Sequence, residues 1–420
     1  MPAPKLALTL TVSGAFALGF LIVSCFGRPP VTPPTLDGGP TFDSAPPPGP
    51  HDAAPIADAA RPDARPDAAP TPARALAHRG VNLSGAEFGA VPGVLGRDYA
   101  YPTSADVDLF VARGMTHIRV PFRHERLQRA LLAELDAGEW SRLEALIAYA
   151  TSRGLSVAIE PHNSARFNGV LLTEAQMGDL WARIARRLEG KSYTPLVMLD
   201  LTNEPHDMKT EAWLALAQAA VREIRRAGST QTILVPGAGW SGAMHWNASW
   251  YGTPSSTLLQ QVTDEAVVFE VHLYLDADGS GKYSAKDCVS DSIGVERLQA
   301  FTAWLRQHRR RGYLGEIGAP NTPTCARAVT NALAAVESEP MLWIGWAWWS
   351  AGSRWPSAYQ LSLQPLVTDA GVVDRPQLAW LERFLAAPKD GTAARRLESA
   401  TYSDREPTTG RTRDDGGVSR

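Results

Sequence analysis

Short apolar, β-branched runs recur along this chain at intervals of roughly 30 to 45 residues, and this spacing restricts the possible folds more than any other feature. The eight runs are residues 80–83, 117–120, 156–159, 197–201, 231–235, 267–271, 312–315 and 342–345. Stretches of helical period lie between them, at residues 140–153, 174–188, 210–227, 293–310 and 326–337. Eight strands that alternate with helices predict an α/β fold, the (β/α)8 TIM barrel. A doubly wound open sheet is the alternative, but it usually has a Gly-rich phosphate turn after its first strand, and residues 82–85 do not form one.

The N-terminal part of the chain has the features of an export segment. In residues 1–25, Lys5 precedes an almost uninterrupted apolar run, which is typical of a secretory signal or an N-terminal anchor. The run ends in Ile22-Val23-Ser24-Cys25, which resembles a bacterial lipobox. We therefore expect a signal peptide, lipidation of Cys25 and attachment to the membrane at the cell surface. An uncleaved membrane anchor and ordinary secretion are the alternatives.

Proline and tryptophan divide the rest of the chain. Residues 26–75 contain 14 of the 32 prolines and no tryptophan. Such a segment buries too little apolar surface to fold, so we predict a disordered linker. Residues 76–388 contain all 13 tryptophans and are long enough for the barrel. Residues 389–420 alternate charges with Gly, Ser and Thr and predict a disordered tail.

Charge and cysteine content limit the partners. The 41 basic and 44 acidic residues give a formal net charge of −3, which argues against a nucleic-acid partner that depends on a basic surface. With Cys25 lipidated, Cys288 and Cys325 are left as a pair, and an exported protein favours a disulfide between them. No further ligands lie near these cysteines at zinc spacing, so we predict no metal site, and we expect a monomer.

A barrel places its catalytic residues at the carboxyl ends of its strands. Glu204 and Glu316 follow the fourth and seventh runs directly, so we expect them to face each other across the mouth. Two carboxyl groups about 5–5.5 Å apart suit retaining glycoside hydrolysis. Their pKa values must then differ, and Arg119 beside one carboxylate would keep that one ionised. On spacing alone, the signal is weak, and ion-pair roles would explain most such pairs of glutamates.

Several short motifs, taken together in their order along the chain, resemble those of glycoside hydrolase family 5, in particular of its cellulase branch. Residues 201–206 contain the Asn-Glu-Pro signature as Leu-Thr-Asn-Glu-Pro-His. The other matching stretches are residues 79–89, 118–122, 125–128, 161–163, 236–237, 239–243, 272–276, 278–281, 315–316 and 348–352. Each string is weak alone, but their order at barrel spacing carries the resemblance over nearly the whole body of the chain.

The resemblance implies roles for individual residues. Glu204 corresponds to the family's acid/base and Glu316 to its nucleophile, and Asn203 to the asparagine that binds the sugar 2-hydroxyl. The other residues that match supporting positions are Arg119, His162, His272, Tyr274 and Trp349. Trp349 would form the floor of the subsite on the nonreducing side of the cleavage point. Trp240 and Trp246 lie on predicted loops, where an aromatic face can stack on a glucose ring.

The predicted function is therefore that of a retaining endo-β-1,4-glucanase that acts on cellulose or a related β-glucan without a cofactor. A β-mannanase or mixed-linkage glucanase with the same mechanism is the alternative, and a noncatalytic glycan-binding protein is a further one. The chain departs from the family at His124 and Ser164, where tryptophan and tyrosine are frequent. We expect both positions to lie beside the cleft and to change the sugar subsites rather than the chemistry.

Overall fold

The computed structural model of the chain describes residues 76–369 and 371–385, and eight parallel strands within them close into a barrel. The barrel strands are β1 His78–Leu83, β2 His117–Phe122, β3 Ser156–Pro161, β6 Val197–Asp200, β7 Ile233–Pro236, β8 Val267–Tyr274, β9 Gly312–Gly318 and β10 Trp343–Ala351. Each strand pairs with its neighbours along the chain, and β1 pairs with β10 to close the ring. The predicted (β/α)8 barrel is confirmed.

Helices connect the strands on the outside of the barrel. Their bounds are α1 Ser104–Val111, α2 His124–Leu127, α3 Ala137–Ser152, α4 Glu174–Leu188, α5 Thr210–Arg226, α6 Ser255–Leu258, α7 Ile293–His308, α8 Pro323–Glu337 and α9 Leu378–Leu381. Two short hairpins pair β4 Arg166–Phe167 with β5 Val170–Leu171, and β11 Leu366–Thr368 with β12 Gly371–Val373. Short 3-10 turns occupy Thr194–Leu196, Ala243–His245, Leu259–Gln261 and Glu382–Phe384.

The apolar faces of the outer helices bury tryptophans that also reach the strand ends. Trp181 of α4 and Trp213 of α5 are fully buried. The indole N–H of Trp181 donates to the Leu201 carbonyl at 3.1 Å, and that of Trp213 donates to the Pro236 carbonyl at 2.8 Å. Each tryptophan thus fills the core and satisfies a backbone acceptor just where a strand gives way to its loop.

A disulfide joins Cys288, in the loop after β8, to Cys325 in the first turn of α8, as predicted. In the part of the chain that the structure describes, no helix is both long and apolar enough to cross a membrane. The predicted signal segment with Cys25, the linker of residues 26–75 and the tail of residues 389–420 lie outside the described residues.

Candidate active site

The residues predicted from strand ends and motifs meet at the carboxyl end of the barrel. The strands carry Arg119 (β2), His272 and Tyr274 (β8), Glu316 (β9) and Trp349 (β10), and the loops carry His162 (after β3), Asn203 and Glu204 (after β6) and Trp240 (after β7). Because all eight strands are parallel, their carboxyl ends line one mouth, where side chains from four strands and from the loops after three others come together.

Glu316 is the more deeply buried of the two predicted catalytic glutamates. Its side chain is 3% exposed, whereas that of Glu204 is 22% exposed. Arg119 donates from Nη1 to Oε1 of Glu316 at 3.1 Å, and the Tyr274 hydroxyl donates to Oε2 at 2.5 Å. Both oxygens of this carboxylate therefore have a fixed donor, which limits its rotation and favours its charged form.

Glu204 is held at its backbone and at its carboxylate. Its φ of 42° lies in the left-handed region, which residues with a Cβ atom seldom adopt. The ring Nδ1 of His206 donates to the Glu204 carbonyl oxygen at 2.7 Å. At the other end of the residue, Nδ1 of His272 lies 2.9 Å from Oε1. These contacts stabilise an unusual backbone conformation that aims the side chain into the mouth.

His272 lies between the two glutamates. Its Nδ1 is 2.9 Å from Glu204 Oε1 and 3.4 Å from Glu316 Oε2, and its Nε2 is 3.3 Å from Oε1 of Glu270. A carboxylate oxygen of Glu204 and one of Glu316 lie within 4.8 Å of each other. The predicted pair of facing glutamates is thus present, with an imidazole against both carboxyl groups.

The surrounding carboxylates keep His272 protonated. Burial acts to lower its pKa, but the charge of Glu316 and the hydrogen bonds to Glu204 and Glu270 outweigh that effect and raise the pKa to about 10. His272 is therefore an imidazolium at neutral pH, and both of its ring nitrogens donate.

The pKa values of the two glutamates move apart, but in the opposite sense to the one predicted from Arg119. Burial, and then the charge of Glu204, raises the pKa of Glu316 against the charges of His272 and Arg119. Burial also acts to raise the pKa of Glu204, but the hydrogen bond and charge of His272 outweigh it and lower the pKa. The prediction considered only the nearest cation, whereas burial outweighs Arg119 at Glu316 and the hydrogen bond from His272 outweighs burial at Glu204.

Asn203 connects the charged centre to His162. Its Oδ1 accepts from Arg119 Nη2 at 3.1 Å, and its Nδ2 lies 3.3 Å from His162 Nε2. The other ring nitrogen of His162 lies 2.7 Å from Oε1 of Glu160. With the proton of His162 on Nδ1, Nε2 accepts from the amide, so the network fixes which side of Asn203 faces the mouth.

Partly exposed aromatic rings flank the glutamates. Trp349 stacks on His162 with ring centroids 5.3 Å apart and 11° between the planes, and its Nε1 donates to the Tyr359 hydroxyl at 3.1 Å. Trp240 stacks on His206 at 5.0 Å and 8°. Trp246, by contrast, is 1% exposed, so the structure excludes it as a sugar platform and places it in the core.

Sequence reasoning missed a layer of buried polar residues below the glutamates. Asn82, Glu160, Asp200 and Glu270 are all fully buried within or at the end of barrel strands. Asn82, Asp200, Glu160 and Glu270 all contact the Arg119 guanidinium. The available signal was a polar residue within, or directly after, an otherwise apolar run, which is costly to bury without a partner.

One of the two departures from the family pattern lies away from the cleft surface. His124 is fully buried, hydrogen-bonds to Gln128 at 2.9 Å and packs edge-on against Phe167. It has no surface to offer a sugar, so it cannot itself form part of a sugar subsite. Ser164 is partly exposed, with a left-handed φ of 54°, in the loop after β3.

Comparisons with known proteins give matches over most of the chain. Residues 76–352 match the family model described as cellulase (glycosyl hydrolase family 5). An endo-beta-1,4-glucanase B from Emericella nidulans is 34% identical over 313 residues, which cover 73% of this chain and 90% of the fungal protein.

Solved structures are similar to this chain in fold as well as in sequence. An endo-beta-1,4-glucanase from Xanthomonas axonopodis pv. citri superposes with a TM-score of 0.71 at 37% identity, covering 75% of this chain and all of that one. A structure of XacCel5A in complex with cellopentaose has a TM-score of 0.70 at 36% identity, covering 74% of this chain and 99% of that one.

Proposed function

Because this chain belongs to glycosyl hydrolase family 5 and is a glycoside hydrolase, we propose that it is a retaining endo-β-1,4-glucanase. Its substrate would be cellulose or a soluble β-glucan, cleaved within the polymer at β-1,4-glucosidic bonds. The named relatives are endo-β-1,4-glucanases, and XacCel5A binds a cello-oligosaccharide, which supports this substrate class. The reaction needs only the two glutamates and water, with no cofactor.

The observation that carries the proposed stereochemistry is the short separation of the two carboxylates. Oxygens of Glu204 and Glu316 lie within 4.8 Å of each other. Inverting enzymes hold their carboxyl groups about 6.5–9.5 Å apart to admit a water molecule, whereas retaining enzymes hold them about 5–5.5 Å apart. The gap supports direct attack by one carboxylate and therefore retention.

Contacts support different roles for the two glutamates. Glu316, deeply buried with a donor on each oxygen, attacks the anomeric carbon and forms a glycosyl ester as the glycosidic bond breaks. Glu204, more exposed, gives its proton to the departing glycosidic oxygen and later takes a proton from the water that hydrolyses the ester. Retention follows from two successive inversions at the same carbon.

The coupled titration of the pair accommodates this exchange of roles. Two carboxyl groups this close share their protons, and a single proton in the site belongs to the pair rather than to one residue. Attack requires the state in which Glu204 holds that proton. Esterification of Glu316 then removes its negative charge, which lowers the pKa of Glu204 further and makes it a base for the second step.

The supporting residues bind and orient the substrate. Asn203, held by Arg119, can donate from its amide to the sugar 2-hydroxyl, a contact that strengthens in the transition state. Trp349 supports the sugar ring on the nonreducing side of the cleavage point. Trp240, stacked on the residue that binds the Glu204 carbonyl, supports the leaving-group side. All of these residues belong to one chain, so a monomer suffices.

The terminal segments support a role outside the cell. We propose that residues 1–25 direct export, that lipidated Cys25 holds the enzyme at the cell surface, and that residues 26–75 act as a tether to the barrel of residues 76–388. Two acyl chains suffice for stable anchoring. Incorporation of labelled palmitate, lost in Cys25→Ala, tests the lipid, and an unmodified soluble product would refute it.

The experiment that tests the function resolves the anomers released from a panel of polysaccharides. On carboxymethyl cellulose we expect a rapid fall in viscosity and products that first appear as the β-anomer. Glu316→Gln should abolish turnover while thermal unfolding stays cooperative. Initial α-anomers would refute retention, and faster hydrolysis of mannan or mixed-linkage glucan would refute the assigned polymer.

A further inference from the structure

Two acidic side chains with no part in the proposed chemistry lie together below the catalytic glutamates. Asp200, at the end of β6, and Glu270, in the middle of β8, are both fully buried. Their carboxyl groups lie side by side against one nitrogen, since Arg119 Nε is 2.7 Å from Oδ2 of Asp200 and 3.4 Å from Oε1 of Glu270. Two ionised carboxylates this close in a buried site repel each other, and since each only accepts, neither can satisfy the other unless one of them holds a proton.

The carboxylate oxygens of Asp200 and Glu270 that have no other donor indicate where this proton lies. Arg119 Nε donates to Oδ2 of Asp200 at 2.7 Å, while Oε1 of Glu270 faces Arg119 Nε at 3.4 Å and His272 Nε2 at 3.3 Å. Among the described residues, no other N–H or O–H group reaches Oδ1 of Asp200 or Oε2 of Glu270. These two oxygens are therefore left for the bond between the acids.

We propose that Asp200 is a neutral carboxylic acid at neutral pH, that it donates its proton to Glu270, and that this pair acts as a positioning device for His272. Glu270 faces two cations and keeps the negative charge, whereas Asp200 faces one and keeps the proton. As an acid, Asp200 satisfies both neighbours at once, since its carbonyl oxygen accepts from Arg119 and its hydroxyl donates to Glu270.

Charged and titratable groups around the pair come from β2, β3, β8 and β9, while β7, between β6 and β8, carries none. These groups are Arg119 from β2, Glu160 from β3, His272 from β8, and Tyr313 and Glu316 from β9. Burial, followed by the charge of Glu270, raises the pKa of Asp200 well above its ordinary value. Burial acts to raise the pKa of Glu270 too, but Arg119 and His272 outweigh it and lower the pKa.

The backbone of β9 holds the ionised partner in place. A Cβ atom at position 315 would lie 1.7 Å from Oε1 of Glu270, so only glycine can stand beside this carboxylate. Gly315 directly precedes Glu316, so the strand that carries the nucleophile also fixes Glu270. Glu270 is thereby kept at its 3.3 Å contact with His272, whose opposite nitrogen binds Glu204.

The consequence for catalysis rests on the proposed function. Glu270 helps to keep His272 an imidazolium, and the imidazolium binds Glu204 and lies against Glu316. Asp200 restrains Glu270 without adding a second negative charge to the centre. Loss of the Glu270 charge would let His272 lose its proton at lower pH. We therefore expect the alkaline limb of the kcat/KM profile to move to lower pH when that charge is removed.

The first experiment follows aspartates alone, which excludes the other buried glutamates from the signal. In full-length protein labelled with ¹³C at aspartate Cγ, we expect one NMR resonance to keep the shift of a protonated acid through about pH 8, where ordinary aspartates are ionised. Asp200→Asn should remove that resonance. If every aspartate is ionised by about pH 7, the proposal is overturned, whether or not the protein hydrolyses β-glucan.

The second experiment compares two matched isosteric variants. Asparagine at position 200 can accept from Arg119 and donate to Glu270 as the neutral acid does, so Asp200→Asn should keep the alkaline limb. Glu270→Gln removes a charge next to His272 and should move that limb down by about one pH unit or more. Equal shifts in both variants would overturn the proposal. If Asp200→Asn does not fold, the titration of the wild-type protein decides.

Discussion

Exposure and hydrogen bonding distinguish Glu204 from Glu316 at the level of single residues, and this difference predicts how a variant at Glu204 will behave. Loss of a general acid should slow substrates with poor leaving groups most, by about 10²–10⁴-fold. Glu204→Ala should therefore lose most of its kcat/KM on cello-oligosaccharides and far less on aryl cellobiosides with acidic phenols. An equal loss on both substrates would contradict the acid role.

The raised pKa of His272 predicts a pH-dependent stability. Since the pKa is about 10 in the folded chain and 6.5 in the unfolded one, the folded state holds an extra proton between these values. The stabilisation is complete below pH 6.5 and is lost as the pH rises towards 10. In this window the free energy of unfolding should fall by about 1.4 kcal/mol per pH unit from this group alone.

Urea unfolding at several pH values between neutral and alkaline checks this slope. His272→Asn serves as the reference, since an asparagine can still hydrogen-bond to Glu204 but does not titrate. We expect the wild-type protein to show the additional slope and the variant to lack it. Equal slopes would mean that His272 is neutral in the folded chain.

At the residue scale, the sequence predicted what lies on the surface of the site better than what lies beneath it. Glu204, Glu316 and their immediate neighbours were found because they follow strands directly and match a motif. Asp200 and Glu270 were missed because a single acid within an apolar run has no partner in the local sequence. Its partner, Arg119, lies on another strand, and only the closed barrel brings them together.

At the scale of strands and loops, the aromatic residues on β10 and after β7 predict different effects on the two sides of the cleavage point. Trp349 stacks on His162, while Trp240 stacks on His206, which binds the carbonyl of Glu204, the proposed acid. Trp349→Ala should lower kcat/KM on both cello-oligosaccharides and aryl cellobiosides. Trp240→Ala should lower it only on oligosaccharides that place sugars on the leaving-group side.

Each tryptophan variant is the control for the other. Loss of one stacking contact is expected to cost about 1 kcal/mol, or roughly a five-fold change. The comparison uses kcat/KM on cellopentaose and on an aryl cellobioside, measured with both variants. If Trp240→Ala impairs the aryl substrate as strongly as cellopentaose, Trp240 acts on the acid rather than on bound sugar.

Three predicted strands end too early, and the residues that follow them explain why. The run predicted at residues 267–271 continues to Tyr274 in β8, that at 312–315 continues to Gly318 in β9, and that at 342–345 continues to Ala351 in β10. After residues 271 and 315 polar site residues interrupt the apolar pattern, whereas after residue 345 the strand continues through buried Trp346, Ala347 and Trp348. Hydrophobic periodicity therefore finds the core of the barrel but ends β8 and β9 where their site residues begin.

At the scale of the whole molecule, the sequence was sufficient for the architecture because eight regularly spaced runs allow few other arrangements. The strand order and the closure between β1 and β10 follow from parallel pairing of consecutive strands. The directions of the pKa shifts of Glu204 and Glu316 could not be predicted from the sequence in the same way. They depend on burial and on the position of His272 between Glu204 and Glu316, and the closed barrel sets both.

The disulfide between Cys288 and Cys325 predicts a change in the stability of the barrel as a whole. It joins the loop after β8 to α8 across 37 positions of sequence and thereby restrains the chain on both sides of β9, which carries Glu316. Closing a loop of this length should stabilise the folded chain by about 4 kcal/mol in the chain-entropy description. Cys288→Ser/Cys325→Ser should lower the free energy of urea unfolding by roughly that amount, while Cys25→Ser, outside the barrel, should leave it unchanged. A double variant as stable as the wild type would show that the barrel contacts alone hold this segment in place.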